Sequence, residues 1–298
     1  MPSMATGDLV LFCKSYRQDL LRAVQLCRSV KEFNRDSIPF YLSVPSGDME
    51  AFAASLNGLN VALIADAEIV AKNPRIAMER FANLPGGRAQ QIVKAEFWRY
   101  GAFGNYLCLD SDSYFLRDFR RADFLSPDGN PYTVMHEAKE LLHFSALSGM
   151  AKIARDRQRE CAEIMGIFGR NGRCFDFGPT PVIWSGRVWR DLDEKFLMPK
   201  GLNIIDAIDL HPGELRWYGE ALLAFKSIPL LPIEPIFRCY HYEEQYYLYK
   251  KIGENETSVA LNYLGVCMQS NWDKRLDLVK RFKFSTLRRR IKRAITGA

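Results

Sequence analysis

Apolar residues in the first hundred positions come as short unbroken runs separated by stretches of helical spacing. The run at 8–14 (DLVLFCK) predicts a first strand buried on both faces. Over 18–30, Leu20, Leu21, Val24 and Val30 recur at helical intervals. A second strand is predicted at 39–44 (PFYLSV), stopped by Pro45-Ser46-Gly47, with Ser46 capping a helix that carries Phe52 and Leu56. A third strand is predicted over 61–64 and runs out at Asp66. Pro85-Gly86-Gly87 is a turn. The stretch 89–102 then reads as a helix, with Ile92, Val93, Phe97 and Tyr100 as its apolar stripe and Lys94 and Arg99 off that stripe. Gly101 and Gly104 end it, and 105–110 returns as a fourth strand. Strand–helix alternation of this kind predicts an α/β fold, with a mostly parallel, Rossmann-like sheet flanked by helices. Neither a G-x-G-x-x-G nor a G-x-x-x-x-G-K-[ST] occurs, so no dinucleotide fingerprint or P-loop explains the sheet.

The second half is less regular, and a mixed sheet is expected there. Strands are predicted at 131–134, 180–184 and 259–266, and a long helical stretch at 140–168. Ser185 can cap a helix over 186–197, and 214–225 (ELRWYGEALLAF) reads as helical despite Gly219. Pro229, Pro232 and Pro235 force extended chain, and 238–249 (RCYHYEEQYYLY) is unusually aromatic.

The fourth strand closes on Asp110-Ser111-Asp112, and a second apolar run, 114–116, follows. In an extended segment, residues i and i+2 point the same way, so both carboxylates can face one hard cation and leave positions for substrate phosphates. With 18 Asp in the chain, about one Asp-x-Asp is expected by chance, and there are two. The other, Asp191-Leu192-Asp193, lies among Val188, Leu192 and Phe196 at helical spacing. There i and i+2 diverge, so that pair cannot chelate and is expected to solvate a helix face.

The segment YLCLDSDSYFL resembles the Asp-x-Asp segment of GT-A fold glycosyltransferases. With QQIVKAEFWRYGAFGNYLCLDSD before it and FGPTPVIWSGRVW and LRWYGEALL after it, the chain is similar over most of 8–272 to a set of bacterial glycosyltransferase-like proteins. The resemblance implies one GT-A-like domain over 1–271, with a nucleotide-binding half to about 118 and an acceptor half beyond. It implies transfer of a sugar from a nucleotide-sugar donor, a UDP-sugar among the candidates, to a carbohydrate or lipid-linked acceptor in surface polysaccharide synthesis. It also implies Mn2+ or Mg2+ as cofactor, which would neutralise the departing diphosphate. Asp112 and Asp110 are the implied metal residues, with His241 or Gln269 as a further ligand. Lys14, Ser15, Tyr16, Asp66, Arg88, Lys94 and Ser111 are expected on the donor side, with Tyr16 stacking on the base. Asp176, Trp184 and Trp217 are expected on the acceptor side, where an aromatic face suits a pyranose ring. An inverting reaction needs a carboxylate base, and Glu214 or Glu220 is expected to supply it. These two stand at i and i+6, so at most one can point into the site.

Composition narrows the picture. Hydrophobic residues make up 48% of 298, enough for a large core. Seven cysteines without a C-x-x-C read as buried free thiols in a reducing compartment. The start, MPSMATGD, lacks the features of a signal peptide, and no apolar run is long enough to span a membrane. A cytoplasmic protein, or one peripheral on the inner face of the cytoplasmic membrane, is expected.

The net charge of +6 is concentrated at one end. From Trp272 onward there are ten basic and two acidic residues, a segment of +8 that leaves the other 271 residues at −2. A nucleic-acid groove through the body is therefore not expected. Leu287, Ile291 and Ile295 fall at i, i+4 and i+8 among Arg288, Arg289, Arg290, Lys292 and Arg293. That is the pattern of a basic amphipathic helix suited to an anionic membrane surface. Two other readings compete with the transferase. One is a GT-A-like domain that binds nucleotide or glycan without turnover. The other is a haloacid-dehalogenase-like phosphatase, which also starts with Asp-x-Asp but needs a later acidic pair, and this chain has no adjacent Asp-Asp.

Overall fold

Strand β1 (Leu9–Lys14) and the four strands beside it form the centre of the molecule in the computed structural model, which describes residues 9–277. Strands β2 (Phe40–Val44), β3 (Ala62–Ala65), β4 (Asn105–Asp110), β5 (Ser113–Phe115), β6 (Thr133–Val134), β7 (Val182–Ser185), β8 (Pro232–Ile233), β9 (Phe237–Tyr240) and β10 (Gly265–Met268) follow. The helices are α1 (Leu20–Phe33), α2 (Met49–Ser55), α3 (Asp66–Val70), α4 (Met78–Ala82), α5 (Gly86–Glu96), α6 (Lys139–Leu147), α7 (Ala151–Ile167), α8 (Gly186–Leu192), α9 (Ile204–Leu210), α10 (Glu214–Phe225), α11 (Glu243–Lys251) and α12 (Glu256–Ala260). The main sheet has the order β3-β2-β1-β4-β7, parallel except for β7, which runs antiparallel to β4. A second sheet, β5-β10-β9, and a short pair, β6-β8, lie beyond it.

The unbroken apolar runs are explained by burial on both faces. Val10, Phe12, Tyr106 and Cys108 pack into one core layer with Ile92, Val93 and Trp217, while Leu9, Leu11, Cys13, Leu107 and Leu109 pack into the other against α1. The rings of Phe12 on β1 and Phe97 after α5 stack at 3.7 Å and help seat α5 on the sheet. Because alternate residues share a face, Asp110 points to the same side as Tyr106 and Cys108, toward α5 and α10. The chain steps outward from β1 to β2 and β3, then crosses back to β4 on the other side of β1. The carboxyl ends of β1 and β4 therefore flank a switch point, where ligands collect in such sheets. Lys14 and Asp110 are register partners there.

The local differences from expectation have physical causes. Ser46 does not cap α2; it opens a short 3-10 turn, and Asp48, which precedes the helix, instead accepts the Arg17 N–H. The long helical stretch is two helices, α6 and α7, broken around Gly149, whose φ of 67° favours glycine. Val259 lies on α12 rather than on a strand, because Asn255 caps that helix through the Ser258 N–H, and β10 starts only at Gly265. Gly219 is tolerated in α10 because the Phe177 ring lies where a Cβ would be, 2.1 Å away. Asp193 of the second Asp-x-Asp is not solvated; it is buried and paired with Arg75 and Arg99. Not every cysteine is a free thiol. Cys161 and Cys174 form a disulfide and the other five are free, so the cysteines no longer argue for a reducing compartment. The predicted basic helix at the C-terminus lies outside the described residues.

Candidate active site

The site is assembled at the end of β4. Asp110 leaves the sheet with both carboxylate oxygens engaged. Lys94 Nζ of α5 donates to Oδ1 at 2.5 Å, and the Thr180 hydroxyl donates to Oδ2. Lys94 also reaches Glu214 Oε1 at 3.4 Å, at the first turn of α10. The side chain of Lys94 is buried, so its place off the apolar stripe of α5 reflects an inward role. Burial works against its ammonium, but Asp110 and Glu214 outweigh that and hold it well above its ordinary value. Burial likewise pushes the Asp110 carboxyl up, and the Lys94 charge with the bonds from Lys94 and Thr180 brings it below its usual value.

Asp112 is handled differently. Its Oδ2 accepts the Ser270 N–H at 2.7 Å, and the Cys267 thiol donates to Oδ1 at 3.4 Å. Among the described residues it forms no ion pair with a basic side chain. Burial, and after it the negative charge of Asp110, pushes its carboxyl up to about 7. The backbone of Asp112 also accepts the Met268 N–H, so the end of β10 and the loop carrying Gln269 are fastened to it.

A cavity of about 210 Å3 opens at this point, lined by Lys94, Asp110, Asp176, Thr180, Glu214, His241 and Gln269 among others. It shares Asp176, Pro179 and His241 with a larger cavity of about 450 Å3 whose wall includes Arg173, Phe175, Arg238 and Cys239. Asp176 is fixed by Arg157 and accepts the Gly178 N–H at 3.0 Å. The neighbouring Cys267 and His241 bring the Cys239 thiol below its ordinary value, with burial opposing.

At the end of β1, Lys14 is buried and pairs with Asp66 at 2.9 Å, and Asp66 accepts the Ser43 hydroxyl at 2.5 Å. Burial raises the Asp66 carboxyl despite Lys14. The Ser15 hydroxyl is buried and has no hydrogen-bond partner among the described residues. Tyr16 is 47% exposed, and burial followed by the charge of Asp19 raises its hydroxyl, with Asp112 contributing as well. Ser111 donates to Asp19 at 3.4 Å, and Asp19 pairs with Arg22 at 2.6 Å. Arg22 also holds the Asp273 carbonyl and Asp277 near the end of the described chain.

The sequence matches, over residues 8–276, the profile of a family described as "Family of unknown function (DUF6492)". The chain belongs to this family. No curated protein matches the sequence of this DUF6492 member. Similar solved structures include apo mouse xyloside xylosyltransferase 1, at 11% identity over 89% of this chain and 99% of that chain, with a TM-score of 0.49. Others are the apo WbbM bifunctional glycosyltransferase (10% identity, 89% of this chain and 46% of that chain, TM-score 0.49) and galactosyltransferase LgtC in complex with donor and acceptor sugar analogs (12%, 86% and 86%, 0.46).

Four expected site residues of this DUF6492 protein stand elsewhere. Trp184 is core, edge-on to Tyr106 and Trp189, and offers no face to a sugar. Trp217 is fully buried and donates its indole N–H to the His211 carbonyl. Glu220 is buried in a two-pronged pair with Arg170, on a different face of α10 from Glu214. Arg88 is half-buried and pairs with Asp209. Thr180, Arg157, Cys239, Cys267 and Ser270 were not anticipated. Only Thr180, set between two prolines just before β7, carried a sequence signal, since both of its neighbouring positions restrict the backbone.

Proposed function

We propose that the protein is a cation-dependent glycosyltransferase of GT-A type that moves a sugar from a nucleotide-sugar donor to a carbohydrate or lipid-linked acceptor. One observation carries the reading. Lys94, Asp110, Asp176, Glu214, His241 and Gln269, spread over 176 positions of sequence, line one small cavity at the carboxyl end of β4.

The residues fit a divalent cation in their donor chemistry. Among the described residues no three His, Cys, Asp or Glu side chains form a metal cage. An open site completed by substrate phosphates needs fewer protein ligands than a cage. Asp112 is a half-buried carboxyl without a cationic partner among the described residues, pushed up by loss of solvent and then by the charge of Asp110, and a cation would relieve it. Asp112, His241 and Gln269 would hold Mn2+ or Mg2+, and Asp110, already shared by Lys94 and Thr180, would stand behind them. Bound there, the cation would supply Lewis-acid neutralisation of the diphosphate as it leaves.

The chain's own residues account for the rest. Lys94 fixes Asp110 and Glu214 relative to each other and supplies positive charge beside the leaving group. The exposed ring of Tyr16 offers a stacking face for the base, and the Ser15 hydroxyl, unpartnered among the described residues, a hydrogen bond to the nucleoside. Glu214 accepts the proton of the acceptor hydroxyl, and the larger cavity beyond Asp176 and His241 receives the acceptor. Surface polysaccharide is the acceptor class in this reading. The basic segment after Trp272, with ten basic and two acidic residues, would hold the protein at an anionic membrane surface.

Thermal shift with a panel of nucleoside diphosphates, with and without Mn2+, tests the reading, because a ligand that binds the native state raises the midpoint. Stabilisation by a diphosphate that requires Mn2+, together with slow hydrolysis of the matching sugar nucleotide, is the expected result. Hydrolysis of a simple phosphomonoester instead would make the protein a phosphatase.

A further inference from the structure

Cys239 on β9 and Cys267 on β10 are direct partners in a parallel ladder, so their side chains leave the same face of the small sheet. Neighbouring strands lie about 4.7–4.9 Å apart. That falls inside the window of about 4.4–6.8 Å between Cα atoms that a disulfide spans. Both thiols are free, and both touch the site. The Cys267 thiol donates to Asp112 at 3.4 Å, and the Cys239 sulfur lies 3.7 Å from His241 Nδ1. Gln269 Nε2 approaches Cys239 at 3.9 Å. Cys239 also lines the larger cavity, which gives a small reagent a route to the pair, whereas Cys267 is fully buried behind it. No step of the proposed transfer uses either sulfur.

We propose that Cys239 and Cys267 are a reversible dithiol–disulfide pair whose oxidation disables the cation site. This rests on the reading of Asp112, His241 and Gln269 as that site. The oxidant is a small disulfide such as glutathione disulfide. The Cys239 sulfur, having lost its proton, attacks one sulfur of the oxidant and releases one glutathione thiolate. The Cys267 sulfur, after losing its proton, attacks Cys239 in the mixed disulfide and releases the second. The protein thereby gives up two electrons and two protons, which appear as two glutathione thiols. The S–H that Cys267 donates to Asp112 is lost, and both sulfurs are drawn toward each other, away from Asp112 and His241. Directly paired strands place the Cα atoms at the short end of the disulfide window. Bridges off the preferred geometry are strained and readily reduced, which suits a switch rather than a staple.

The test uses the full chain, treated with glutathione disulfide and digested without reduction. Mass spectrometry is expected to find a peptide linking Cys239 to Cys267, distinct from the Cys161–Cys174 link. Calorimetric titration with Mn2+ is expected to show at least a tenfold loss of affinity, reversed by reduced glutathione. Cys267→Ser keeps a hydroxyl facing Asp112 but cannot bridge, and its Mn2+ affinity is expected not to respond to the oxidant. A crosslink with unchanged Mn2+ affinity overturns the switch, as does a Cys267→Ser protein that loses affinity all the same. If the reduced protein binds Mn2+ but no Cys239–Cys267 peptide forms, this inference alone falls. If the reduced protein binds no Mn2+, the cation-site reading falls and takes the switch with it.

Discussion

Lys94 and Asp110 form an ion pair at 2.5 Å that joins the inner face of α5 to the end of β4. The ammonium is buried, and its attraction to Asp110 and Glu214 offsets the cost of removing it from water. Lys94→Met strips Asp110 of its only cation among the described residues while roughly keeping the volume. We expect a loss of stability on the order of 3 kcal/mol, since removing one partner leaves the other charge uncompensated. Urea unfolding of Lys94→Met, Asp110→Asn and the double variant checks it. The double variant should recover part of the loss; strict additivity would mean that the pair is not coupled.

Asp112 makes the protein's stability depend on pH in an unusual direction. Its carboxyl is raised to about 7 in the folded chain, against an ordinary value of 3.8. Between those values the folded state holds a proton that the unfolded state has lost, so stability falls as pH rises from about 4 to about 7. Other groups titrate in the same window, so the useful quantity is the difference between wild type and Asp112→Asn. Without added metal, the variant should gain on the wild type across that interval and level off above it. Mn2+ must displace the same proton, so its affinity for the wild type should climb with pH and flatten above about 7. Unfolding midpoints and Mn2+ titrations from pH 4 to 8 test both (~4 unit span, bracketing the shift). Asp112→Asn should also lower turnover by roughly 100-fold or more, the scale of losing a principal electrostatic contact in a transition state.

The two glutamates of α10 should separate function from folding. Glu214 lines the small cavity beside Lys94, whereas Glu220 is locked to Arg170. Glu214→Gln is nearly isosteric and should cut kcat by about 100-fold with little change in the donor KM, as loss of a general base does. Glu220→Gln leaves the Arg170 guanidinium without its carboxylate, so it should cost about 3 kcal/mol of stability while kcat per folded molecule stays near wild type. Steady-state kinetics alongside chemical denaturation distinguishes them. The reverse pattern would move the base from Glu214 to Glu220.

What the sequence made legible follows from what each residue senses. Buried parallel strands read as unbroken apolar runs, so β1, β2 and β4 were visible, and with them the place where Asp110 emerges. Residues at strand ends and helix starts, such as Glu214, are legible in position because their elements are. Tertiary contacts were not legible. Nothing local distinguishes Trp184 packed in a core from Trp184 facing a sugar, and the inward turn of Lys94 depends on where Asp110 lies across the sheet. Asp193 is the same case. Helical spacing over 186–197 marks its stretch, where α8 ends at Leu192 and a π-helical turn begins at Asp193, but two arginines far away in sequence pair with Asp193 and help bury it. The cysteine cluster beside Asp112 comes from strands that pair only in the folded chain.

The segment from Trp272 onward carries ten basic residues and two acids. Its two acids are both occupied, Asp277 by buried Arg22 and Asp273 by Arg275, and the Asp273 carbonyl also accepts from Arg22. The start of the segment is thus fastened to α1. The residues from 278 onward, outside the described part, carry Lys280, Arg281, Lys283, Arg288, Arg289, Arg290, Lys292 and Arg293 with no acid to offset them. Near an anionic bilayer each basic residue contributes up to about 1 kcal/mol, decaying over a Debye length. The stripe Leu287, Ile291 and Ile295 would add burial in the interface. Full-length protein should sediment with anionic vesicles, less so as salt rises, and little with neutral ones. The position of the cut decides what else changes. Truncation after Asp277 should abolish sedimentation and leave the thermal midpoint in place. Truncation after Trp272 removes both partners of Arg22 on that side, leaves Asp19 as its remaining carboxylate among the described residues, and should lower the midpoint as well. Equal recovery of full-length and Asp277-truncated protein in the supernatant would remove the membrane from the proposal and leave the transferase reading to its own tests.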